Sequence, residues 1–181
     1  MRAKPKPLDQ DGLMNYAARS LSSRAQSISE LRTRLKQRAA RAQDVEQVLA
    51  RLKEAGLLND QRFASSFADW RKENQGFGKA RVMRDLMARR VAPSLAQKAV
   101  DAVYSGADET AMIDDFLKRK YRGKDLGALL KEEKHLASAF RKLRGAGFSA
   151  GASIRALKRY AAEAERLEEV EDGLDYRTPD Q

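Results

Sequence analysis

The chain has 181 residues, of which 7% are aromatic, four are proline and none is cysteine. The lack of cysteine excludes disulfides, thiolate metal sites and cysteine nucleophiles, and the many Ala, Leu, Arg, Lys and Glu residues favour helices over a sheet-built core. A formal net charge of +10 attracts polyanions. We therefore expect an all-α protein.

The amino terminus is predicted to be a flexible leader over residues 1–11, since Pro5 and Pro7 interrupt it and no apolar residue recurs at regular spacing. It lacks the apolar stretch of a signal peptide, and no run in the chain approaches the roughly 18 apolar residues that span a bilayer. These features predict a soluble cytoplasmic protein, and we expect a monomer.

A first module of three helices is predicted over residues 12–58, and Gly56 is expected to end its last helix. Ser27 and Glu30 have the spacing of a capping box, in which a hydroxyl and a carboxylate bond the free amides at a helix start. Two further pairs have this spacing, Asp44 with Gln47 and Ser94 with Gln97. The predicted helices lie at 13–24, 27–40 and 44–55.

A second module is predicted over residues 59–106, with helices at 60–74, 78–91 and 94–105. Phe63, Phe67 and Trp70 share one face of its first helix, which fits a hydrophobic core better than a platform for stacking nucleobases. The third module is predicted over residues 107–162, followed by an acidic tail over residues 163–181. The helices of the third module are expected at 107–122, 130–146 and 149–162, with an inserted loop at 122–127.

The three modules are copies of one helical unit. A shift of 51 positions carries the apolar positions of module one onto those of module two, and a further 57 carries most of these onto module three. The first set is Leu31, Leu35, Val45, Val48, Leu49 and Leu52, which land on Val82, Leu86, Ala96, Ala99, Val100 and Val103. Leu86, Val91, Ala99, Val100 and Val103 then land on Leu143, Phe148, Ala156, Leu157 and Tyr160, while Ala96 lands on Ser153. Units this small are expected to pack end to end against their neighbours, in an elongated, curved array.

Charge is unevenly distributed along the chain. Residues 117–160 contain 13 Lys or Arg against three acidic residues, whereas residues 163–181 contain eight acidic residues against two Arg. One interpretation gives this charge no binding role: charged residues only keep the outer faces of the helices hydrated. The alternative is a basic surface for a polyanion, over which the acidic tail folds as a mimic of DNA.

Residues suited to catalysis or cofactor binding are scarce. His135 lies in the charged stretch KEEKH without the neighbours of a zinc site or a catalytic triad, and the adjacent carboxylates of Asp114 with Asp115 point in different directions on a helix. The stretch GFGKA at 76–80 resembles a phosphate loop but lacks a preceding strand, so we interpret it as a turn between helices. No enzymatic activity, cofactor or metal is expected.

The sequence resembles the RecX family of bacterial recombination regulators, through four motifs in order. They are Arg24, Ser27, Glu30, Leu31 and Leu35; GLLNDQRFA with Gly56, Leu57, Asp60, Arg62, Phe63 and Ala64; Gly78, Arg81, Val82 and Leu86; and GFS at 147–149 with Ile154. The chain departs from the family pattern at Ala39 and Arg90, where a glycine is common. The acidic tail is also longer than usual.

The resemblance implies three tandem three-helix modules that bind RecA, mainly as its filament on single-stranded DNA. It further implies lowered ATP hydrolysis, strand exchange and co-protease activity, and no catalytic residues. Two alternatives stay open: a helix-turn-helix-like protein that acts directly on duplex DNA, and a helical scaffold whose charge only confers solubility. The predicted anion contacts are Arg81, Arg84, Arg89, Arg90, Lys118, Arg119, Lys120, Lys142 and Arg144.

Overall fold

The computed structural model describes residues 6–161 and Ala164. Over this part of the chain it contains ten α-helices and no strand, so the prediction of an all-α protein is confirmed. The described residues form two compact units. Unit 1 comprises residues 6–68 and Asp85–Val103, and unit 2 comprises Asp69–Arg84 and residues 104–161 with Ala164. The acidic tail lies outside the described residues, and the predicted module bounds stay predictions.

The first helices form earlier in the chain than the sequence indicated. α1 begins at Gln10 because the Asp9 carboxylate accepts a hydrogen bond from the Gly12 amide at 2.9 Å. Leu8 donates to the Arg38 carbonyl and accepts from the Ala40 amide, at 2.7 and 2.8 Å. Leu8 to Asp11 therefore belong to unit 1 rather than to a flexible leader. The three helices are α1 (Gln10–Ser23), α2 (Ile28–Lys36) and α3 (Ala42–Glu54).

One of the three expected capping boxes forms. Ser27 accepts from the Glu30 amide, and the Glu30 carboxylate accepts from the Ser27 amide, so this prediction is confirmed. The prediction for Asp44 is wrong, since α3 begins two residues earlier and buries its carboxylate against Arg41 at 3.1 Å. The prediction for Ser94 is also wrong, because the helix Pro93–Val103 begins one residue before Ser94 and so places Ser94 inside its first turn.

The next stretch of chain contains α4 (Asp60–Trp70), a π-helical turn (Arg71–Gln75), α5 (Lys79–Ala88) and α6 (Pro93–Val103). The aromatic residues of α4 do not share one environment. Phe63 is buried and stacks on Phe67 with ring centroids 5.8 Å apart, whereas Trp70 is 50% exposed. The core interpretation is therefore correct for Phe63 but not for Trp70.

The last part of the described chain contains four helices. The expected loop at 122–127 holds the start of a short helix that sequence periodicity did not predict, capped by the Asp125 carboxylate. The following helix begins at Glu133, three residues later than expected. These elements are α7 (Glu109–Lys120), α8 (Leu126–Leu129), α9 (Glu133–Ala146) and α10 (Ala150–Lys158).

The repeat predicts the buried positions of both units well. All of the apolar positions matched by the two shifts are buried except Val103 and Tyr160, which are half-buried. Ser153, the one polar residue in the set, is also buried, and its hydroxyl donates to the Ser149 carbonyl at 2.7 Å. The polar exception is therefore accommodated by a local hydrogen bond rather than by exposure.

In unit 2, the end of α9 meets the start of α5 through backbone hydrogen bonds. The Gly78 amide donates to the Ala146 carbonyl at 2.8 Å, and the Ala80 amide donates to the Gly147 carbonyl at 3.2 Å. These bonds pair free amides of one helix start with free carbonyls of another helix end. Position 78 has no room for a side chain at this contact, because a Cβ on Gly78 would overlap the Gly147 carbonyl.

In unit 1, the end of α5 meets the start of α2 through side chains. The Ser27 hydroxyl donates to the Arg89 carbonyl at 2.7 Å, and the Arg89 guanidinium bonds the Glu30 carboxylate at 2.8 Å. The same guanidinium lies over the Phe67 ring, 4.8 Å from its centroid. Because Ser27 maps onto Gly78 by the shift of 51, the two units use equivalent positions for helix junctions of different chemistry.

Tyr104 supplies a pH-dependent contribution to the stability of unit 2. Its hydroxyl donates to the Phe77 carbonyl at 2.6 Å, and burial, followed by the nearby Glu73 charge, raises the pKa of the phenol above its ordinary value. The folded state thus favours the neutral phenol, so this contribution is complete below about pH 10 and is lost as the pH rises further.

We expect Tyr104→Phe to lower the free energy of unfolding by about 1 kcal/mol at pH 8, through loss of the hydrogen bond to Phe77. The difference in melting temperature between wild type and variant should shrink between pH 10 and pH 11 in thermal melts followed by circular dichroism. A difference that grows with pH would show that the phenol does not titrate in this way.

Candidate nucleic-acid interface

Two predicted anion contacts of α5 converge on one carbonyl in unit 2. Arg81 Nη1 and Arg84 Nη2 each lie 3.4 Å from the Gly145 carbonyl oxygen, in the last turn of α9. The negative end of the α9 dipole attracts both guanidinium groups. Arg84 is exposed, while Arg81 is half-buried and packs over the Phe77 ring at 5.3 Å. This pair presents two cations at one helix end.

A second basic group in unit 2 forms at the end of α7. Lys118, Arg119 and Lys120 occupy its last turn and are exposed, and Lys142 of α9 joins them by contacting Tyr121. The Lys142 ammonium lies 3.2 Å from the Tyr121 hydroxyl and 4.9 Å from its ring centroid. Lys142 therefore lies beside the carboxyl end of α7, which carries the other three predicted cations.

Two predicted contacts are engaged within their own unit. Arg144 Nη1 donates to the Phe148 carbonyl at 2.6 Å, which closes the end of α9. Arg89 is held by Glu30 and Phe67, as described above, and its side chain is 28% exposed. Both guanidinium groups therefore have an internal role, which charge counting along the sequence does not reveal.

Sequence reasoning missed a basic groove of about 230 Å³ in unit 1. Arg24 and Arg34 line it together with Arg89 and Arg90, and Glu30 is its single acidic residue. We call it the arginine groove; its lining is Arg24, Ser29, Glu30, Thr33, Arg34, Ala88, Arg89 and Arg90. The signal available in the sequence was weak, because Arg24 and Arg34 only flank the capping box of α2.

Arg119, one of the basic residues of unit 2, packs against the backbone of the glycine turn at Gly76. The Arg119 guanidinium lies directly against Gly76, where a Cβ would overlap it, and Gly76 has a positive φ of 60°. The turn at 76–80 thus joins two helices, as predicted. The backbone conformation is what favours glycine there, because the Arg119 guanidinium lies at the end of a flexible side chain and can move aside.

None of the described helices is long and apolar enough to cross a membrane.

Elsewhere on the surface of unit 1, Arg32 is bound by Glu46 at 2.8 and 3.1 Å. The hydrogen bond from Arg32 lowers the pKa of Glu46, so this carboxylate stays ionised and keeps Arg32 occupied. Arg32 is therefore less available to an anionic partner than an exposed cation without such a carboxylate.

Repeated three-helix domains with basic residues at helix ends define a class of all-α modular proteins. Residues 14–52 match the family model of the first three-helix domain of RecX, and residues 59–100 match that of the second. The chain is 30% identical over 160 residues to the regulatory protein RecX of Deinococcus radiodurans, covering 88% of this chain and 74% of that one. The chain belongs to the RecX family.

Other relatives are consistent with this assignment. The regulatory protein RecX of Trichlorobacter lovleyi is 28% identical over 129 residues, covering 71% of this chain and 84% of that one. The crystal structure of RecX from Lactobacillus salivarius matches with a TM-score of 0.64 at 15% identity, over 84% of this chain and 97% of that chain. This structural likeness shows a shared fold, and the family assignment supports a regulatory role.

Proposed function

We propose that the protein is a negative regulator of RecA that binds the filament of RecA on single-stranded DNA. It lowers the ATPase, strand-exchange and co-protease activities of that filament. Membership of the RecX family is the observation that carries this proposal. The basic groups give it physical support, because a filament on DNA offers phosphate charge to which clustered Lys and Arg bind with release of counterions.

The proposal is tested by titrating the protein into a reaction in which RecA of the same organism hydrolyses ATP on single-stranded DNA. Inhibition well below one molecule per RecA is expected, through an action that propagates along the filament. Cosedimentation should also show more binding to preformed filaments than to bare DNA. Full ATPase activity at equimolar protein, or equal binding to filaments and bare DNA, would contradict the proposal.

Direct recognition of duplex DNA is the second candidate, favoured by the arginine-rich α5 within a three-helix module. A recognition helix contacts bases through residues at its amino terminus. In unit 2 the amino terminus of α5 instead bonds the end of α9, through Gly78 and Ala80. This contact disfavours insertion of α5 into a major groove. A ratio of affinities, preferred duplex over random duplexes, that is much greater than one would support the second candidate.

We expect Arg84→Ala combined with Lys142→Ala to weaken binding to single-stranded DNA. Each lost phosphate contact should reduce the slope of log affinity against log salt by about 0.7. Both side chains are exposed, one in each basic group of unit 2. Fluorescence anisotropy with labelled oligo(dT) at several salt concentrations measures the slope.

A matched control is the double variant Arg51→Ala with Lys131→Ala, which removes the same charge from two other exposed positions. It should change the slope little, because general attraction alone does not make a phosphate contact. Equal slopes for the two double variants would move the contact surface away from Arg84 and Lys142.

A further inference from the structure

Arg90 has a backbone conformation that is costly for its residue type. Its φ is 57°, and among the described residues it is the only one other than glycine with a positive φ. Steric contact of Cβ with the backbone disfavours this left-handed region for L-residues. Arg90 follows α5, where its amide donates to the Met87 carbonyl at 2.8 Å and the Val91 amide donates to the Leu86 carbonyl at 3.2 Å.

Glycine performs this same task elsewhere in the chain. The shift of 57 places Arg90 onto Gly147, which ends α9 with a φ of 92° and the same pair of backbone bonds, Gly147 to Arg144 and Phe148 to Leu143. α3 also ends in this way at Gly56. These bonds require only backbone atoms. The side chain of Arg90 therefore contributes nothing to the helix end that glycine would not supply at lower cost.

The Arg90 side chain is exposed and lines the arginine groove. Within the described part of the chain, no hydrogen bond or ion pair engages its guanidinium. Arg34 makes only a long contact of 3.5 Å with the Ser20 hydroxyl, and Arg24 lies 3.8 Å from Glu30. The groove thus presents three weakly engaged guanidinium groups.

Glu30 does not neutralise this charge. Its carboxylate accepts from Arg89 at 2.8 Å and from the Ser27 amide at 3.1 Å, which holds it in the helix junction of unit 1. Four arginines against one carboxylate leave the groove with a net charge of about +3. A groove of this kind binds oxyanions, and the planar fork of arginine fits both phosphate and carboxylate.

We propose that the arginine groove binds the phosphodiester backbone of single-stranded DNA, and that Arg90 is retained at a glycine position as one of its phosphate contacts. This rests on the proposed function. A nucleic-acid strand presents negative charges repeated at short spacing, whereas a single Asp or Glu of a protein surface presents one. Three converging arginines therefore favour a run of phosphates over an isolated Asp or Glu.

The proposal predicts opposite effects of Arg90→Gly on stability and on binding. Relief of the backbone conformation should raise the melting temperature by about 1–4 °C. Loss of the guanidinium should weaken binding to labelled oligo(dT) by about three- to tenfold and lower the salt slope by about 0.7. Both measurements use the full chain without RecA, so they are independent of the regulatory activity.

Two control variants separate the backbone from the side chain. Arg90→Ala keeps the conformational cost and should weaken binding as Arg90→Gly does, without the rise in melting temperature. Arg90→Lys keeps both the cost and the charge, and should retain most of the affinity and the salt slope. Together they show whether the guanidinium or the backbone conformation accounts for binding.

The outcomes discriminate among the possibilities. Unchanged oligo(dT) affinity and slope in Arg90→Gly would overturn the proposal, while inhibition of the RecA ATPase by wild type would still support the proposed function. If Arg90→Gly weakened binding to the RecA filament but not to oligo(dT), the groove would bind a protein carboxylate, which also overturns it. Conversely, weakened oligo(dT) binding without any effect of wild type on RecA would support the groove and refute the regulator.

Discussion

Replacing Gly147 with alanine is expected to lower the free energy of unfolding of unit 2 by about 3 kcal/mol or more. Two costs add at this position. The φ of 92° is unfavourable for any residue with a Cβ, and the new Cβ would overlap the backbone nitrogen of Arg81 at the start of α5. Since that neighbour is backbone, relief requires the junction between α9 and α5 to open. Chemical denaturation followed by circular dichroism measures the loss.

Gly123→Ala is the matched control. Gly123 has a φ of 77° in the same unit, but a Cβ there would have no atom within 4 Å. It should cost only about 1–2 kcal/mol, which is the conformational part alone. Equal losses in the two variants would mean that the close approach of Gly147 to Arg81 adds nothing to stability.

Truncation of the repeated leucines is expected to have the other large effect. Leu35, Leu86 and Leu143 are related by the two shifts and are all fully buried. Leu→Ala at each position should lower the free energy of unfolding by about 2–5 kcal/mol, from lost burial and from the cavity left behind. Because the chemistry is the same three times, differences among them report how far each site can collapse.

Leu57→Ala is the control for this series, since Leu57 is 58% exposed. It should change the unfolding free energy by about 0.5 kcal/mol or less. A loss at Leu57 comparable with that at the repeated positions would contradict the assignment of the core. Thermal melts of all four variants under the same conditions provide the comparison.

The repeat explains why the helices and core were predictable. Burial follows the apolar positions of an amphipathic helix, and three copies of the same pattern reinforce one another, as for Leu35, Leu86 and Leu143. Helix starts were less predictable. Asp44 and Ser94 have the residue types and spacing of N-caps, yet each lies inside a helix. α3 instead begins directly after Arg41, which binds the Asp44 carboxylate, and α6 begins at Pro93, so spacing alone does not encode these starts.

The basic character of the candidate site was also predictable, but the availability of each cation was not. Charge counting identified Arg89 and Arg90 together, whereas the structure pairs Arg89 with Glu30 and leaves Arg90 lining a groove. It also overlooked Arg24 and Arg34, which α2 and its preceding turn bring to the same groove. Pairing between residues some 60 positions apart depends on tertiary structure, so neighbouring arginines can have opposite roles.

The two helix junctions differ in how their sequences can vary. The junction of unit 1 depends on Ser27, Glu30 and Arg89, so a change in one side chain can be compensated by a complementary change in another. The junction of unit 2 depends on backbone atoms brought together by Gly78 and Gly147, and no second substitution can restore space that a Cβ occupies. Compensatory evolution is therefore open to the first junction and closed to the second.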